Sequence, residues 1–255
     1  MVAWQQTIAY RGESIVWFIL ELLPMIYLVN LWMSLDKTGK MPAEKVGWLI
    51  VYQFLALGIA RLTASHFDDW VIESIKDGSV GHNFLKPFSY RGFLLANEFT
   101  WRVSGFIYMI PTLLLLIPVW GLVSRVHLEI NQIFFVLGIL FLAFFQRFFV
   151  SYLITLTAYW FQEAKFMVHL KWMLEGLLGG AWIPVYFYPL WFQRVSSVSP
   201  FYFWYTIPIN GLLSKISWQA QLQQLFLAFL WVIILWFVAN KVEKAAMSKF
   251  SAVGG

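Results

Sequence analysis

The chain has 255 residues, of which 60% are hydrophobic and only 12% are charged, with a formal net charge of +5. Soluble domains carry about 25% charged residues, so the composition excludes an ordinary soluble enzyme, a disordered tail and a secreted disulfide scaffold. Cysteine is absent, which excludes disulfides, thiolate nucleophiles and cysteine-ligated metal sites. The basic residues are scattered between apolar runs, a pattern typical of membrane flanks rather than of nucleic-acid binding.

Six apolar segments are long enough to cross a bilayer, since roughly 20 helical residues span its hydrocarbon core. No repeat or linker divides them, so the sequence predicts an all-α polytopic membrane protein with one domain over residues 1–255. The first 14 residues contain no apolar stretch or small-residue cleavage site, so we expect no removable signal peptide and expect the first segment to remain as an anchor. The predicted spans are 15–33, 46–63, 103–123, 133–156, 166–186 and 222–239.

The orientation of these spans follows from the charges between them. An even number of spans places both termini on one side of the membrane. If that side is the cytoplasm, the inner segments hold eight basic residues besides Arg102, which adjoins the third span, and the outer segments hold six. This small excess favours cytoplasmic termini, because cytoplasmic loops are enriched in Lys and Arg.

The inner loop at 66–92 contains the signal of a short helix. Two acids are placed to cap its start, a glycine can end it, and three aliphatic residues share one face while charged residues point away. Three aliphatic side chains cannot stabilise an isolated helix in water, so we expect this face, Val71 and Ile75 above all, to dock on a partner protein. The alternative is an interfacial helix that rests on lipid headgroups. The residues are Asp68, Asp69, Val71, Ile72, Glu73, Ile75, Lys76, Asp77 and Gly78.

The stretch 188–221 is apolar and aromatic, but its prolines prevent one continuous helix. Because unpaired backbone is not tolerated in lipid, the sequence predicts broken helices that lie at the outer interface or dip back into the protein.

Ionisable residues within the spans must face protein or water. Glu21, Arg147 and Glu175 are the candidates for buried charges, with structural pairing between helices, a proton relay and substrate contact as the alternatives. Glu98 and Arg102 are four residues apart and are expected to pair.

Three glycines occur together in the fifth predicted span. Gly176 and Gly180 have the GxxxG spacing that allows close helix approach, and Gly179 lies between them. The approaching helix could belong to a second subunit or to the same chain.

Several kinds of catalytic site lack their residues. The only Gly-Lys pair, Gly39-Lys40, is followed by Met41, so the chain has no Walker A loop. Its four histidines show no ligand spacing within one span, which leaves metal oxygenases and haem proteins without support. His66 with Asp68 and Asp69 is interpreted as a helix start rather than as a metal site.

Short motifs in a fixed order relate the chain to a known family. The inner loop reads IESIKDGS at 72–79 and NFLKP at 83–87, and the later run reads GAWIP at 180–184, YP at 188–189, SPF at 199–201 and IP at 207–208. With the order of the six spans, these motifs resemble the six-span export permeases of ATP-binding cassette (ABC) transporters, the ABC-2-type membrane subunits. The resemblance covers almost the whole chain.

The resemblance implies a permease subunit that pairs with a second permease, identical or paralogous, and with two ATPase subunits in a prokaryotic cytoplasmic membrane. ATP and Mg²⁺ would bind the ATPases, while this chain would bind no cofactor and catalyse no reaction. The inner-loop helix would be the coupling helix that contacts the ATPase. The broken segment would hold outer re-entrant helices that gate the exit, with Pro184, Pro189, Pro200, Phe201 and Pro208.

Two other functional classes fit the composition. A membrane-embedded lipid-modifying enzyme could use Glu21, Glu175 or His169, and a membrane scaffold would need no chemistry. An exporter permease is distinguished from both by copurifying with a soluble protein that carries a Walker A motif.

Overall fold

The computed structural model describes residues 20, 23, 26–34, 37–38, 43–84, 87–114, 129–161, 163–213 and 216–249, and within these ranges every regular element is a helix. Residues 26–34 are helical and belong to the predicted first span. The helices that follow are α1 (Ala43–Thr63), α2 (Asp68–Lys76), α3 (Gly81–Phe84), α4 (Tyr90–Leu114), α5 (Ile130–Leu156), α6 (Lys165–Leu178), α7 (Leu190–Val198), α8 (Thr206–Leu213) and α9 (Trp218–Met247).

Three of the predicted spans are confirmed as long apolar helices. Among the described residues, Lys45–Thr63, Ile130–Tyr159 and Trp218–Met247 are long and apolar enough to cross a bilayer. They coincide with the predicted spans at 46–63, 133–156 and 222–239. The arrangement of six spans stays a prediction.

The third predicted span begins earlier than its apolar run. The sequence places it at 103–123, whereas α4 begins at Tyr90 and is described as far as Leu114. Glu98 and Arg102 neutralise each other within this helix, which allows its first turns to carry charges. An apolar-run criterion does not detect such turns.

The fifth span was predicted as one helix over 166–186, and its predicted end is wrong. Helix α6 ends at Leu178 after 14 residues, which corresponds to roughly 21 Å against the roughly 30 Å of a hydrocarbon core. Gly180 follows with φ of +81°, a left-handed conformation that commonly ends helices. Pro184 then prevents the helix from resuming.

The region after α6 is broken into short helices, as predicted. A 3₁₀ helix at Val185–Phe187 follows Pro184, α7 follows Pro189, and a second 3₁₀ helix at Pro200–Phe203 begins with its proline. Pro208 lies in the first turn of α8, where its missing N–H costs no helical hydrogen bond. Whether these helices re-enter the membrane stays a prediction.

Four helices, α2, α4, α5 and α9, meet at one end of the molecule, which we call the α2 end. Phe67 and Val71 pack there with Tyr90 at the start of α4 and Leu156 at the end of α5, and Ala246 of α9 belongs to the same cluster. The opposite end contains Trp32, Val46, Leu49 and Ile183 in contact. Successive helices therefore alternate in direction between these two ends.

Helix α9 packs along α5 but leaves most of its own surface uncovered. Only 17% of its most apolar window is buried, and the buried positions are mostly small, such as Ala228 and Ala239. Phe226, Phe229 and Phe237 are exposed. An apolar surface of this extent suits lipid or a second subunit.

Candidate functional site

Helix α2 has the predicted bounds, but its start is stabilised differently from the prediction. The helix runs from Asp68 to Lys76, and Gly78 has φ of +78° just beyond its end. Phe67 occupies the cap position and makes no side-chain capping bond. The carboxylate of Asp68 instead contacts the ammonium group of Lys171 on α6.

The apolar face of α2 docks on this chain itself. Val71 packs with Phe67 and Phe148, and Ile72 packs with Ala164 and Val168. Both side chains are buried, and Ile75 is half-buried against the same core as Val71. The expectation that Val71 enters a groove of a partner is therefore wrong, because α5 and α6 already supply the apolar surface that the helix needs. The docking of Ile75 on a partner stays a prediction.

The outward face of α2 is acidic with one large aromatic side chain. Asp69, Glu73 and Asp77 are exposed there beside Lys76, and Trp70 remains 41% exposed among them. Hydrogen bonds from the side chain and the backbone of Ser79 lower the pKa of Asp77 below its ordinary value. Asp77 is therefore ionised at neutral pH, and the face is net negative.

The connection between α1 and α2 is held by α4. Arg102 and Glu98 form the predicted ion pair, with 2.6 Å between Nη2 and Oε2. Arg102 also donates to the carbonyl of Ala64, and Glu98 accepts the backbone N–H of His66. The ion pair thus satisfies backbone groups that would otherwise be left unpaired where the chain turns.

No metal site forms around this turn. His66 is exposed, whereas Asp68 is buried against Lys171. Within the described ranges, no group of three or more potential metal-ligating residues lies together.

A buried polar group joins α2, α5 and α6, and we call it the Lys171 cluster (Asp68, Ser151, Lys171). Lys171 is 3% exposed and donates to Ser151 Oγ at 3.0 Å in addition to its contact with Asp68. Its Nζ also lies 3.5 Å from the carbonyl oxygen of Ser65. Asp68 lies 103 positions from Lys171 in the sequence, so no local pattern indicates the pair.

A second buried polar group lies near the end of α6, and we call it the Arg147 cluster (Gln146, Arg147, Glu175, Trp204, Tyr205). Arg147 and Glu175, both predicted to be buried, lie with Nη1 and Oε2 3.4 Å apart. The guanidinium carbon is 4.8 Å from the Trp204 ring and 4.6 Å from the Tyr205 ring. Glu21, the third predicted buried charge, lies outside the described residues.

Two further bonds attach the Arg147 cluster to its surroundings. Gln146 accepts from the indole of Trp204 at 3.0 Å and donates to the carbonyl of Ala228 on α9 at 2.8 Å. Tyr205 Oη lies 3.4 Å from Glu175 Oε2. The broken segment is thus bonded to α5 and α6 in the interior, and Gln146 connects the same site to α9.

The glycines of the fifth predicted span contact this chain, not a second subunit. A Cβ at Gly176 would lie 2.3 Å from the ring of Trp182, and one at Gly179 would lie 3.0 Å from Tyr205. Gly180 lies beyond α6 against Thr206 and Tyr52. Of the two alternatives for these glycines, packing within the same chain is the one observed, since the broken segment and α1 fill the space.

The predicted gate residues lie around these contacts. Pro184 and Pro208 are buried, Pro200 is half-buried and Pro189 is exposed. Phe201 is half-buried with its ring 4.6 Å from that of Trp204. Their surroundings connect the broken segment to α6, and their role as a gate stays a prediction.

The chain was also compared with known proteins. A family model described as "ABC-2 family transporter protein" matches residues 17–254. No curated protein and no solved structure gave a significant match.

Proposed function

Because the chain belongs to the ABC-2 family of transporter proteins and is the membrane component of an ABC transporter, we propose that it is a permease subunit of an ATP-driven exporter. A second permease, identical or paralogous, completes the pathway, and two ATPase subunits bind ATP and Mg²⁺. The complex lies in a prokaryotic cytoplasmic membrane with the termini of this chain in the cytoplasm. Such family members are typically non-catalytic transmembrane subunits.

The observation that supports this proposal best is the two-sided structure of α2. One face is anchored in the interior through Val71, Ile72 and Asp68, while the other presents Trp70 among carboxylates. Tryptophan is enriched among residues that dominate binding energies. A cytoplasmic helix with this face fits an ATPase pocket that has an apolar floor and a basic rim.

The mechanism follows from how firmly α2 is anchored. When the two ATPases close on ATP, they push on the outward face of α2. Since its inward face is packed on α5 and α6, the push moves membrane helices rather than only the loop. Access between the two permeases then switches from the inner to the outer side, and the broken segment opens as the exit gate.

Trp70→Ala tests the docking face. We expect recovery of the ATPase with affinity-purified permease to fall by at least about tenfold, because hot-spot truncation costs about 2 kcal/mol or more. The amount of permease in the membrane should not change, since Trp70 is partly exposed and the inward face is intact.

Trp218→Ala is the matched control, because Trp218 is 59% exposed at the start of α9, at the opposite end. It should leave ATPase recovery unchanged. Equal recovery with Trp70→Ala and with wild type would contradict the assignment of the docking face. Absence of any Walker A protein in the wild-type purification would contradict the exporter function itself.

A further inference from the structure

The two buried polar clusters are successive links in space between α2 and the broken segment. Lys171 and Glu175 are four residues apart on α6, and Ser151 and Arg147 are four residues apart on α5. A spacing of four residues corresponds to about 6 Å along a helix. The Lys171 cluster and the Arg147 cluster are therefore stacked one turn apart between the same pair of helices.

The attachment of α2 to α6 is tight. Asp68 binds Lys171 in the interior, and Glu73 binds Lys165 at the surface with 2.5 Å between Oε1 and Nζ. Ile72 packs between these two pairs against Val168. Three contacts along the length of α2 mean that a displacement of this helix displaces α6 as well.

The contact between Arg147 and Glu175 is loose by comparison. Their closest atoms are 3.4 Å apart, and no N–H group of Arg147 makes a hydrogen bond of good geometry to Glu175. Buried N–H groups without acceptors carry a desolvation cost. A guanidinium binds a carboxylate best through two parallel hydrogen bonds. A small shift of α6 that brings Glu175 into this geometry would therefore lower the energy of the pair.

The rings of Trp204 and Tyr205 transmit such a shift. They stack on the guanidinium of Arg147, and the Tyr205 hydroxyl lies beside the same Glu175 oxygen. The next residue, Thr206, donates to the carbonyl of Gly179 at 2.8 Å, just beyond the end of α6. Movement of Glu175 thus acts on the start of α8 through side chains and backbone together.

Resting on the proposed function, we propose that Arg147 and Glu175 form the movable joint of the transport cycle. The ion pair of Asp68 and Lys171 transfers the displacement of α2 to α6, the guanidinium and carboxylate then close into a bidentate pair, and the segment that bears Trp204 and Tyr205 moves with them. Arg147 and Glu175 act here as positioning residues and need not contact the cargo.

The test uses the complete complex of permease and ATPase in lipid nanodiscs. The native chain has no cysteine, so two single substitutions, His82→Cys and Val198→Cys, report the two regions separately. His82 is exposed at the α2 end, and Val198 is 70% exposed at the end of α7. Each permease variant carries an environment-sensitive fluorophore attached before the ATPase is added. The signal is the fluorescence change on trapping with ATP and vanadate.

In the wild-type background, both labels should respond. With Glu175→Gln, the response at His82 should persist while the response at Val198 falls at least about fivefold, the smallest typical allosteric coupling. Tyr205→Phe, which keeps every charge, should reduce the Val198 response in the same direction. Glu243→Gln is the control, since it alters an interhelical pair with Arg91 outside both clusters, and it should preserve both responses.

Three results would overturn the joint while leaving the exporter function intact. The first is an unchanged Val198 response in Glu175→Gln and Tyr205→Phe. The second is a loss of the His82 response, together with the Val198 response, in these variants. The third is an equal loss of the Val198 response in Glu243→Gln. Failure of the wild-type His82 label to respond to ATP would instead overturn the proposed function, and the joint with it.

Discussion

Lys171 shows how a charge becomes acceptable in the interior of a membrane protein. Its ammonium group is surrounded by the Asp68 carboxylate, the Ser151 hydroxyl and the Ser65 carbonyl. These oxygens replace the water that the group loses on burial. The stabilisation depends on all of the partners, because a buried ion pair that loses one member leaves an uncompensated charge.

Lys171→Met should therefore destabilise the protein by about 3 to 5 kcal/mol, the usual cost of breaking a buried ion pair. Adding Asp68→Asn should recover much of this loss, since no charge then remains unpaired. The free energy of unfolding, measured by titration with sodium dodecyl sulfate, compares the two variants.

Lys76→Met is the control for this pair of variants, because Lys76 is exposed on α2. It should change stability by less than about 0.5 kcal/mol. Equal free energies of unfolding for Lys171→Met and the double variant would contradict the prediction, because the Asp68 carboxylate would then cost nothing when it loses Lys171.

The sequence alone indicates only part of the two buried polar clusters. Arg147 and Glu175 were recognised as buried charges because each interrupts an apolar run. Their stacking on Trp204 and Tyr205 was not foreseen, since it depends on how the broken segment folds back over α6. Asp68 was assigned as a cap because a local rule matched, and the local sequence contains no sign of Lys171.

Among the elements, α2 was predicted with the correct bounds and the wrong orientation. Apolar spacing identifies the face that must be buried, but it does not identify the surface that covers it. In this fold Ala164 and Val168 cover Ile72, so the face that remains for the proposed ATPase contact is the one with the charged residues. Trp70 had no assigned role, although a large aromatic residue on a charged face was the available signal.

The end of α6 provides a test at the scale of elements. Gly180→Ala should destabilise the protein by about 2 to 4 kcal/mol, through a left-handed backbone and an overpacked site. The new Cβ would lie 2.8 Å from Thr206 Oγ1 and 2.9 Å from the Tyr52 hydroxyl. Thermal unfolding of the purified protein, followed by tryptophan fluorescence, gives the comparison.

Gly58→Ala is the matched control within α1, where an added Cβ would meet nothing within 4 Å. It should be neutral or stabilise the helix by up to about 1 kcal/mol, because alanine is the better helix former. Equal stability of the two variants would contradict the constraint at Gly180.

At the scale of the whole molecule, hydropathy identified helices that are uniformly apolar and gave less accurate limits elsewhere. The matches at α1, α5 and α9 follow from long apolar runs without strong helix breakers. The limits of α4 and α6 differ from prediction because an internal ion pair extends one helix and a glycine in a left-handed conformation ends the other. Hydropathy averages contain neither effect.

The brevity of α6 makes the chain sensitive to the thickness of its membrane. Helix α1 has 21 residues and α6 has 14, so α6 reaches only about two thirds of the way across an ordinary hydrocarbon core. If the broken segment re-enters the membrane as predicted, its short helices fill the remaining depth, and helices joined by turns cannot tilt as one rod to accommodate a thicker bilayer. Longer acyl chains should therefore strain the connection between α6 and the broken segment.

We expect the ATP-dependent Val198 signal to fall as the complex is moved from phosphatidylcholine of ordinary chain length to long-chain phosphatidylcholine, while the His82 signal is unchanged. Hydrophobic mismatch costs only fractions of a kcal/mol per ångström, so the loss should be graded rather than abrupt. A Val198 signal independent of chain length would show that the short helices adapt freely. If the dependence is found, the lipid composition of the membrane would set how much of each ATP-driven stroke reaches the far side.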